Sequence, residues 1–182
     1  MLEEVDVIIE ISKGSHIKYE YDKEKNMIIC DRVLHTPMKY PFNYGFIPNT
    51  LSEDGDPLDV VVLMDDELVP GCSIKCKILG YLETKDDAGN DPKIIACPIG
   101  KIDPKWKGVG NIAHLNGGII DHHTFDKIKY FFQHYKDLEN KKVEIGNFYG
   151  KDMAEQIYYL SKDKFIKKIF QKNKITNYFH KI

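Results

Sequence analysis

The sequence predicts an α+β fold, a small closed β-barrel flanked by C-terminal helices. Three observations predict it. Residues 1–100 read as short β-rich runs separated by turn signals. The chain beyond them changes to a helical period. No internal repeat or linker interrupts it, so strands and helices are expected to share one domain over residues 1–182.

The elements follow in order. Val5–Ile11, Ile17–Tyr21 and Met27–Val33 are rich in β-branched and aromatic residues. Val60–Met64 is a short continuous apolar run. Pro70-Gly71 marks a turn before a strand at Ser73–Leu82, and Lys93–Ile99 is the next strand. Between these two, Asp86–Asp91 reads as a hairpin loop around Gly89-Asn90. The stretch 104–123, with Gly108, Gly110 and Asn111, reads as a long loop. Thr124 is placed to cap a helix running to about Asn140, with Ile128, Phe131, Phe132, Tyr135 and Leu138 at helical spacing. Gly146 and Gly150 punctuate the chain. A second helix is expected from about Lys151 to Lys172, with Ile157, Leu160, Phe165 and Ile169 on its apolar stripe.

Composition narrows the function classes. The formal net charge is −2, which gives no global attraction for nucleic acid or an anionic membrane. The acidic start lacks the basic and apolar regions of a secretory signal, and no apolar run is long enough to span a bilayer. A cytoplasmic protein with reduced cysteines is expected. Cys30, Cys72, Cys76 and Cys97 lack zinc-ligand spacing. Of the 26 basic residues all but Arg32 are Lys. A lone Arg suggests a position that needs a planar fork of donors to grip a phosphate or carboxylate.

The sharpest chemical feature is Glu53-Asp54-Gly55-Asp56-Pro57-Leu58-Asp59. Carboxylates this close repel one another unless something neutralises them, and hard divalent cations with oxygen ligands fit. Gly55 and Pro57 bend and stiffen the backbone so that the acids can converge. An EF-hand is excluded, because the sixth position from Asp54 is Asp59 rather than Gly. A phosphate-accepting aspartate nucleophile should follow a buried strand, whereas here the strand comes after. Four more groups carry charge or hydroxyls. They are Glu10 with Lys18 and Glu20; Asp31-Arg32 with Tyr40 and Tyr44; Asp86, Asp87 and Asp91 with Lys93; and Tyr135-Lys136. Lys18 and Glu20 have the period-two spacing of one strand face. Charges on the inner face of a small barrel are costly unless they form a site. Together they are the inventory for metal ions and a phosphorylated substrate.

The ordered blocks Glu10-Ile11, Lys18-Tyr19-Glu20, Asp31-Arg32, Tyr40-Pro41, Asn43-Tyr44-Gly45, Asp54 to Asp59, Asp86 to Lys93 and Phe131 to Glu139 resemble the soluble family I inorganic pyrophosphatases of bacterial type. The resemblance runs from about Val7 to Val143 and implies an OB-like barrel. It departs at Ser12, where Pro is usual, at Asp87, where Glu is common, and at Lys142-Val143, which lacks a frequent Trp. The tail after Gly150 carries no recognisable block. The resemblance implies hydrolysis of pyrophosphate to two orthophosphates by a metal-activated water, without a covalent intermediate. It implies several Mg2+ ions, with Mn2+ or other divalent cations as substitutes. Asp54, Asp59 and Asp91 would hold one ion, Asp59 reaching a second; Asp86 and Glu20 would serve others. Asp56 would act on the water. Lys18, Arg32, Tyr44, Lys93, Tyr135 and Lys136 would face phosphate oxygens, with Glu10, Tyr40 and Asp87 in support. A homohexamer is implied as well. Hydrolysis of another phosphoanhydride, single-strand nucleic-acid binding and an inert calcium scaffold are the competing expectations. No Gly-rich phosphate loop and no basic stacking groove supports the first two. A scaffold needs neither Asp56 nor Arg32.

Overall fold

Alternation along each strand decides what faces the core. The computed structural model describes the backbone of residues 4–87, 89–112 and 121–179, with side chains through Gln171. Strand β1 (Val5–Ile11) buries Val5, Val7, Ile9 and Ile11 and exposes Asp6 between them. Strands β2 (Ile17–Asp22) and β3 (Met27–Val33) pair only with each other, as a separate hairpin. Strands β4 (Asn43–Ile47), β5 (Leu58–Val62), β6 (Ser73–Asp86), β7 (Gly89–Asn90) and β8 (Lys93–Pro98) follow. A 3-10 turn at Pro104–Trp106 precedes helix α1 (His122–His134). Strand β9 (Glu144–Gly150) then leads directly into helix α2 (Lys151–Phe179).

The main sheet runs β1-β4-β5-β8-β6, and β6 returns to pair with β1. The sheet therefore closes into a ring, the expected small barrel, with α1 and α2 after it. Only β5 and β8 are parallel among the ring pairs. Strand β6 is long enough to serve two roles. Its first residues pair with β1, while Gly80 to Lys85 pair with β9 outside the ring. Closure also needs Gly45. A Cβ there would sit 1.9 Å from the Ile8 carbonyl oxygen, so only glycine lets β4 lie this close to β1.

Ring strands β5 and β8 are buried on both sides. Leu58, Val60, Val62, Ile94 and Ala96 join one cluster with Ala154 and Tyr158 of α2. Val61, Leu63, Ile95 and Cys97 join another with Phe125, Ile128, Phe131 and Phe132 of α1. Double-sided burial explains why β5 reads as a continuous apolar run rather than an alternating one.

Several boundaries differ from the sequence reading. Thr124 is not the cap of α1. Asp121 is, its carboxylate accepting from the Thr124 backbone N at 2.7 Å and from Thr124 Oγ1 at 2.8 Å. A negative group at a helix N-terminus satisfies the free N–H groups and the dipole together. The helix ends at His134, and a 3-10 turn at Asp137–Glu139 follows, leaving Leu138 63 % exposed. Helix α2 runs past Lys172, and its buried stripe is Ala154, Tyr158 and Ser161. Leu160 and Ile169, expected on the core stripe, face outward. Strands β4 and β9 went unread because Pro41, Gly45, Gly146 and Gly150 break the β pattern. In the stretch 104–123, residues 113–120 lie outside the described residues.

Candidate functional site

The acidic loop is shaped by local hydrogen bonds. Asp54 Oδ1 accepts from the Asp56 backbone N at 3.0 Å, and the Ser52 N–H donates to the Asp56 carbonyl at 2.7 Å. Gly55 sits at φ +92°, a conformation that side chains disfavour. The loop hands Asp59 to β5, where it takes the same side as Val61, toward α1. Lys93 of β8 is on that side too, in step with Ile95. The charges therefore lie under α1 and not among the aliphatic side chains packed with α2.

Bulges aim two further acids. The β1–β4 register slips between Ile9 and Ile11, leaving Glu10 as the extra residue. Its Oε1 accepts from the Tyr21 backbone N at 2.7 Å, which ties the β2–β3 hairpin to the ring. The β2–β3 register slips after Lys18, leaving Asp31 extra, and Asp31 pairs with both Lys18 (3.6 Å) and Arg32. Lys18 also pairs with Glu20, as expected for neighbours on one strand face.

These elements enclose a cavity of about 220 Å³. Thirteen of the fifteen residues to which the resemblance gives a role line it: Glu10, Lys18, Glu20, Tyr40, Tyr44, Asp54, Asp56, Asp59, Asp86, Asp91, Lys93, Tyr135 and Lys136. Arg32 and Asp87 are outside the lining. Arg32 does use its planar fork, but on a carboxylate. Its Nε and Nη2 each lie 2.9 Å from Glu139, and another nitrogen meets Asp31. Burial works against the guanidinium charge, yet Glu139 and Asp31 outweigh it and hold its pKa above the ordinary value. Asp87 is exposed at the turn beside β7.

Sequence reasoning missed Lys23, Tyr21 and Phe46, which also line the cavity; Tyr19 and Pro57, read only as parts of their motif blocks, line it too. Lys23 reaches Asp56 Oδ1 at 2.8 Å and the Gly55 carbonyl at 3.4 Å. In sequence it is one Lys in the charged turn Asp22-Lys23-Glu24-Lys25, which carries no signal of a site. Tyr21 had one available signal: it continues the strand on which Lys18 and Glu20 lie. Its ring stacks on Phe46 at 5.4 Å.

The cavity is electrically unbalanced. Seven carboxylates face four lysines: Glu10, Glu20, Asp54, Asp56, Asp59, Asp86 and Asp91 against Lys18, Lys23, Lys93 and Lys136. Lys93 is fully enclosed, ion-paired to Asp59 and Asp91 and set against the Tyr44 and Phe132 rings at 5.9 and 6.0 Å. Burial disfavours its charge, but Asp59 and Asp91 outweigh that and raise its pKa. Lys136 pairs with Asp86 at 3.3 Å. The excess acids show the strain. Burial, then the Asp59 charge, pushes Glu10 up to about 7. Burial carries Asp91 to about 6 despite Lys93. Asp54 is also raised, again by burial first. Burial holds Tyr40, Tyr44 and Tyr135 above the usual phenol range, so their hydroxyls stay protonated donors.

Among the described residues no three His, Cys, Asp or Glu side chains converge as a finished metal shell. The donor set nonetheless fits hard divalent cations. Every candidate ligand is a carboxylate oxygen, neither His nor Cys lines the cavity, and the negative excess awaits cationic charge.

Fold and site thus define a ring-barrel protein with an oxygen-rich pocket for hard cations and anionic oxygens. A family model described as inorganic pyrophosphatase matches residues 7–165. The inorganic pyrophosphatase of Xylella fastidiosa is 48 % identical over 157 residues, 85 % of each chain. That of Nanoarchaeum equitans is 50 % identical over 155 residues, 85 % of this chain and 92 % of its own. The solved Helicobacter pylori inorganic pyrophosphatase superposes with a TM-score of 0.84 at 44 % identity, covering 90 % of this chain and 94 % of that one. The chain belongs to the inorganic pyrophosphatase family. The match extends past Gly150 into α2, beyond the motif blocks legible by eye.

Proposed function

We propose that this cavity hydrolyses inorganic pyrophosphate to two orthophosphates by in-line attack of water, with no covalent intermediate. The observation that carries the reading is the convergence of seven carboxylates, four lysines and buried tyrosines on one cavity in a chain of this family. Asp54, Asp59 and Asp91 would hold one Mg2+, with Asp59 shared to a second; Asp86 and Glu20 offer further oxygens. Such cations, when bound, lower the pKa of a coordinated water toward about 7 and neutralise phosphate oxygens.

The chain's own groups do the rest. Asp56 is the base. Its backbone is bonded to Asp54 and one carboxylate oxygen to Lys23, so the other oxygen is oriented to take a proton from water. Lys18, Lys93 and Lys136 place positive charge around the phosphates, and Tyr44 and Tyr135 donate O–H groups. Arg32 reaches phosphate by exchanging one of its carboxylate partners. Positioning and charge stabilisation of this kind supply most of the catalysis in phosphoryl transfer.

Mn2+ or another divalent cation would substitute for Mg2+. A cytoplasmic homohexamer completes the reading. The exposed stretch of α1 around Tyr130, 62 % exposed, supports a role as a subunit contact. The test is phosphate release from pyrophosphate and from nucleoside triphosphates, with Mg2+ and with excess chelator. Turnover of pyrophosphate alone, abolished by chelator, is expected. Full activity in chelator, or equal turnover of the nucleotides, overturns the reading.

A further inference from the structure

A second cavity, of about 240 Å³, lies directly behind the first. The two share one layer of backbone. Glu53, Leu58, Asn90 and Pro92 line the second cavity, while their chain neighbours Asp54, Asp59, Asp91 and Lys93 line the first. Leu58 and Asp59 are successive residues of a strand and point to opposite sides, and Glu53 stands beside Asp54 in the turn before it, so the rear wall is joined through the backbone to charged residues of the front one. Helix α2 closes the rear cavity with Ile157, Leu160, Ser161 and Lys164.

The lining defines the ligand chemistry. Leu58, Tyr81, Pro92 and Ile157 give an apolar lining with Leu160 at its exposed rim, and Glu53 and Glu83 give acceptors. Lys164 is a weak competitor for Glu53. It stands 3.8 Å away, and both side chains are about half exposed. Glu83 is approached by the Tyr149 hydroxyl at 3.3 Å, a neutral partner that leaves its charge in place. The volume suits a single ring with a short arm.

The geometry points to an effector site for a small amine, a compact apolar body carrying an ammonium group, that acts on the cation-binding acids in front. The link is Glu53. Its Oε2 accepts from Asn90 Nδ2 at 3.2 Å, a side-chain bond between the loop bearing Asp54 and the loop bearing Asp91. An ammonium that takes Glu53 from Asn90 and Lys164 unties those loops and loosens the spacing of Asp54 and Asp91. Occupancy of the rear cavity therefore weakens divalent-cation binding in the front one. By linkage, divalent cations weaken the amine by the same factor.

Amine binding does not depend on the proposed hydrolysis; the consequence for turnover rests on it. The probe is 2-phenylethylammonium, titrated calorimetrically into the full chain with and without Mg2+, with 2-phenylethanol as the uncharged control. Phosphate release in the same preparation tests the hydrolytic reading separately. Saturable binding of the amine but not the alcohol is expected, with the Mg2+ needed for half-maximal binding raised about fivefold and the amine weakened equally by Mg2+. Glu53→Gln should weaken the amine about tenfold. Leu160→Trp, on an exposed helix position at the cavity rim whose fold circular dichroism can check, should obstruct the cavity and remove binding. Equal binding of the alcohol overturns the site. So does binding retained in both Glu53→Gln and Leu160→Trp, which would put the amine in the front cavity. Binding without any change in Mg2+ affinity overturns the link between the cavities.

Discussion

The two sides of strands β5 and β8 are built from neighbouring residues yet solve opposite problems. Toward α2, Leu58, Val60, Val62, Ile94 and Ala96 fill space and need no partners. Toward α1, Asp59 and Lys93 occupy positions of the same strands but are tolerable only together, because each neutralises the other out of water. One side stores stability in packing, whereas the other spends part of it to hold charge ready. A single strand can do both because its side chains alternate.

The largest expected effect falls on the charged side. Asp56→Asn keeps size and removes the basic oxygen. Turnover should drop by about 10²–10⁴ and added Mg2+ should not restore it. Asp59→Asn should instead weaken cation binding and regain part of its activity in excess Mg2+. Magnesium titrations of turnover, with calorimetric cation binding, separate the two. Rescue of Asp56→Asn and not Asp59→Asn would reverse their roles.

Stability should break differently on the two sides. Lys93→Met leaves Asp59 and Asp91 facing each other without the buried cation, a loss of about 3–5 kcal/mol in metal-free protein. Mg2+ should restore much of it. Ile94→Ala, on the packed side, should cost about 2–5 kcal/mol whether or not Mg2+ is present. Denaturant unfolding with and without Mg2+ measures both. A magnesium-insensitive Lys93→Met would mean that the cations do not replace its charge.

The pH dependence sharpens the contrast. Glu10 is an acid whose folded pKa is raised from 4.5 to about 7 by burial and then by Asp59. Its neutral form is favoured in the fold. That contribution is therefore fully present below pH 4.5 and lost as pH rises through about 7. Metal-free protein should lose stability across that window by about 3 kcal/mol at most. Glu10→Gln should flatten the profile, and a profile unchanged by that substitution would remove Glu10 from the account.

Arg32→Lys is the smallest of these effects. One ammonium cannot copy the two parallel bonds that a guanidinium offers phosphate, so about tenfold in turnover, or ~1.4 kcal/mol, should be lost. Wild-type kinetics in Arg32→Lys would make its fork a structural clamp alone.

Much of this was readable in the chain. Val5–Ile11 and Met27–Val33 declare themselves as strands by β-branched content, and Asp54 to Asp59 declares a charged turn. Ordered motif blocks carried most of the cavity residues, because chemistry constrains residue identity even where packing does not. Other features were not local properties. Asp121 rather than Thr124 caps α1, since two adequate caps three residues apart are separated only by where the helix docks. Leu160 faces out and Ser161 in, because the stripe of α2 is set by its seat on the barrel and not by its own hydrophobicity. Lys23 enters the cavity only because the β2–β3 hairpin folds back across the acidic loop. The sequence by itself determined which residues carry charge, which segments are extended and which cannot tolerate a side chain. Tertiary structure alone decided that Glu10, Asp59, Asp91 and Lys93 share one space. That sharing requires ring closure between β6 and β1 and the bulge that re-aims Glu10, long-range events that no local period records.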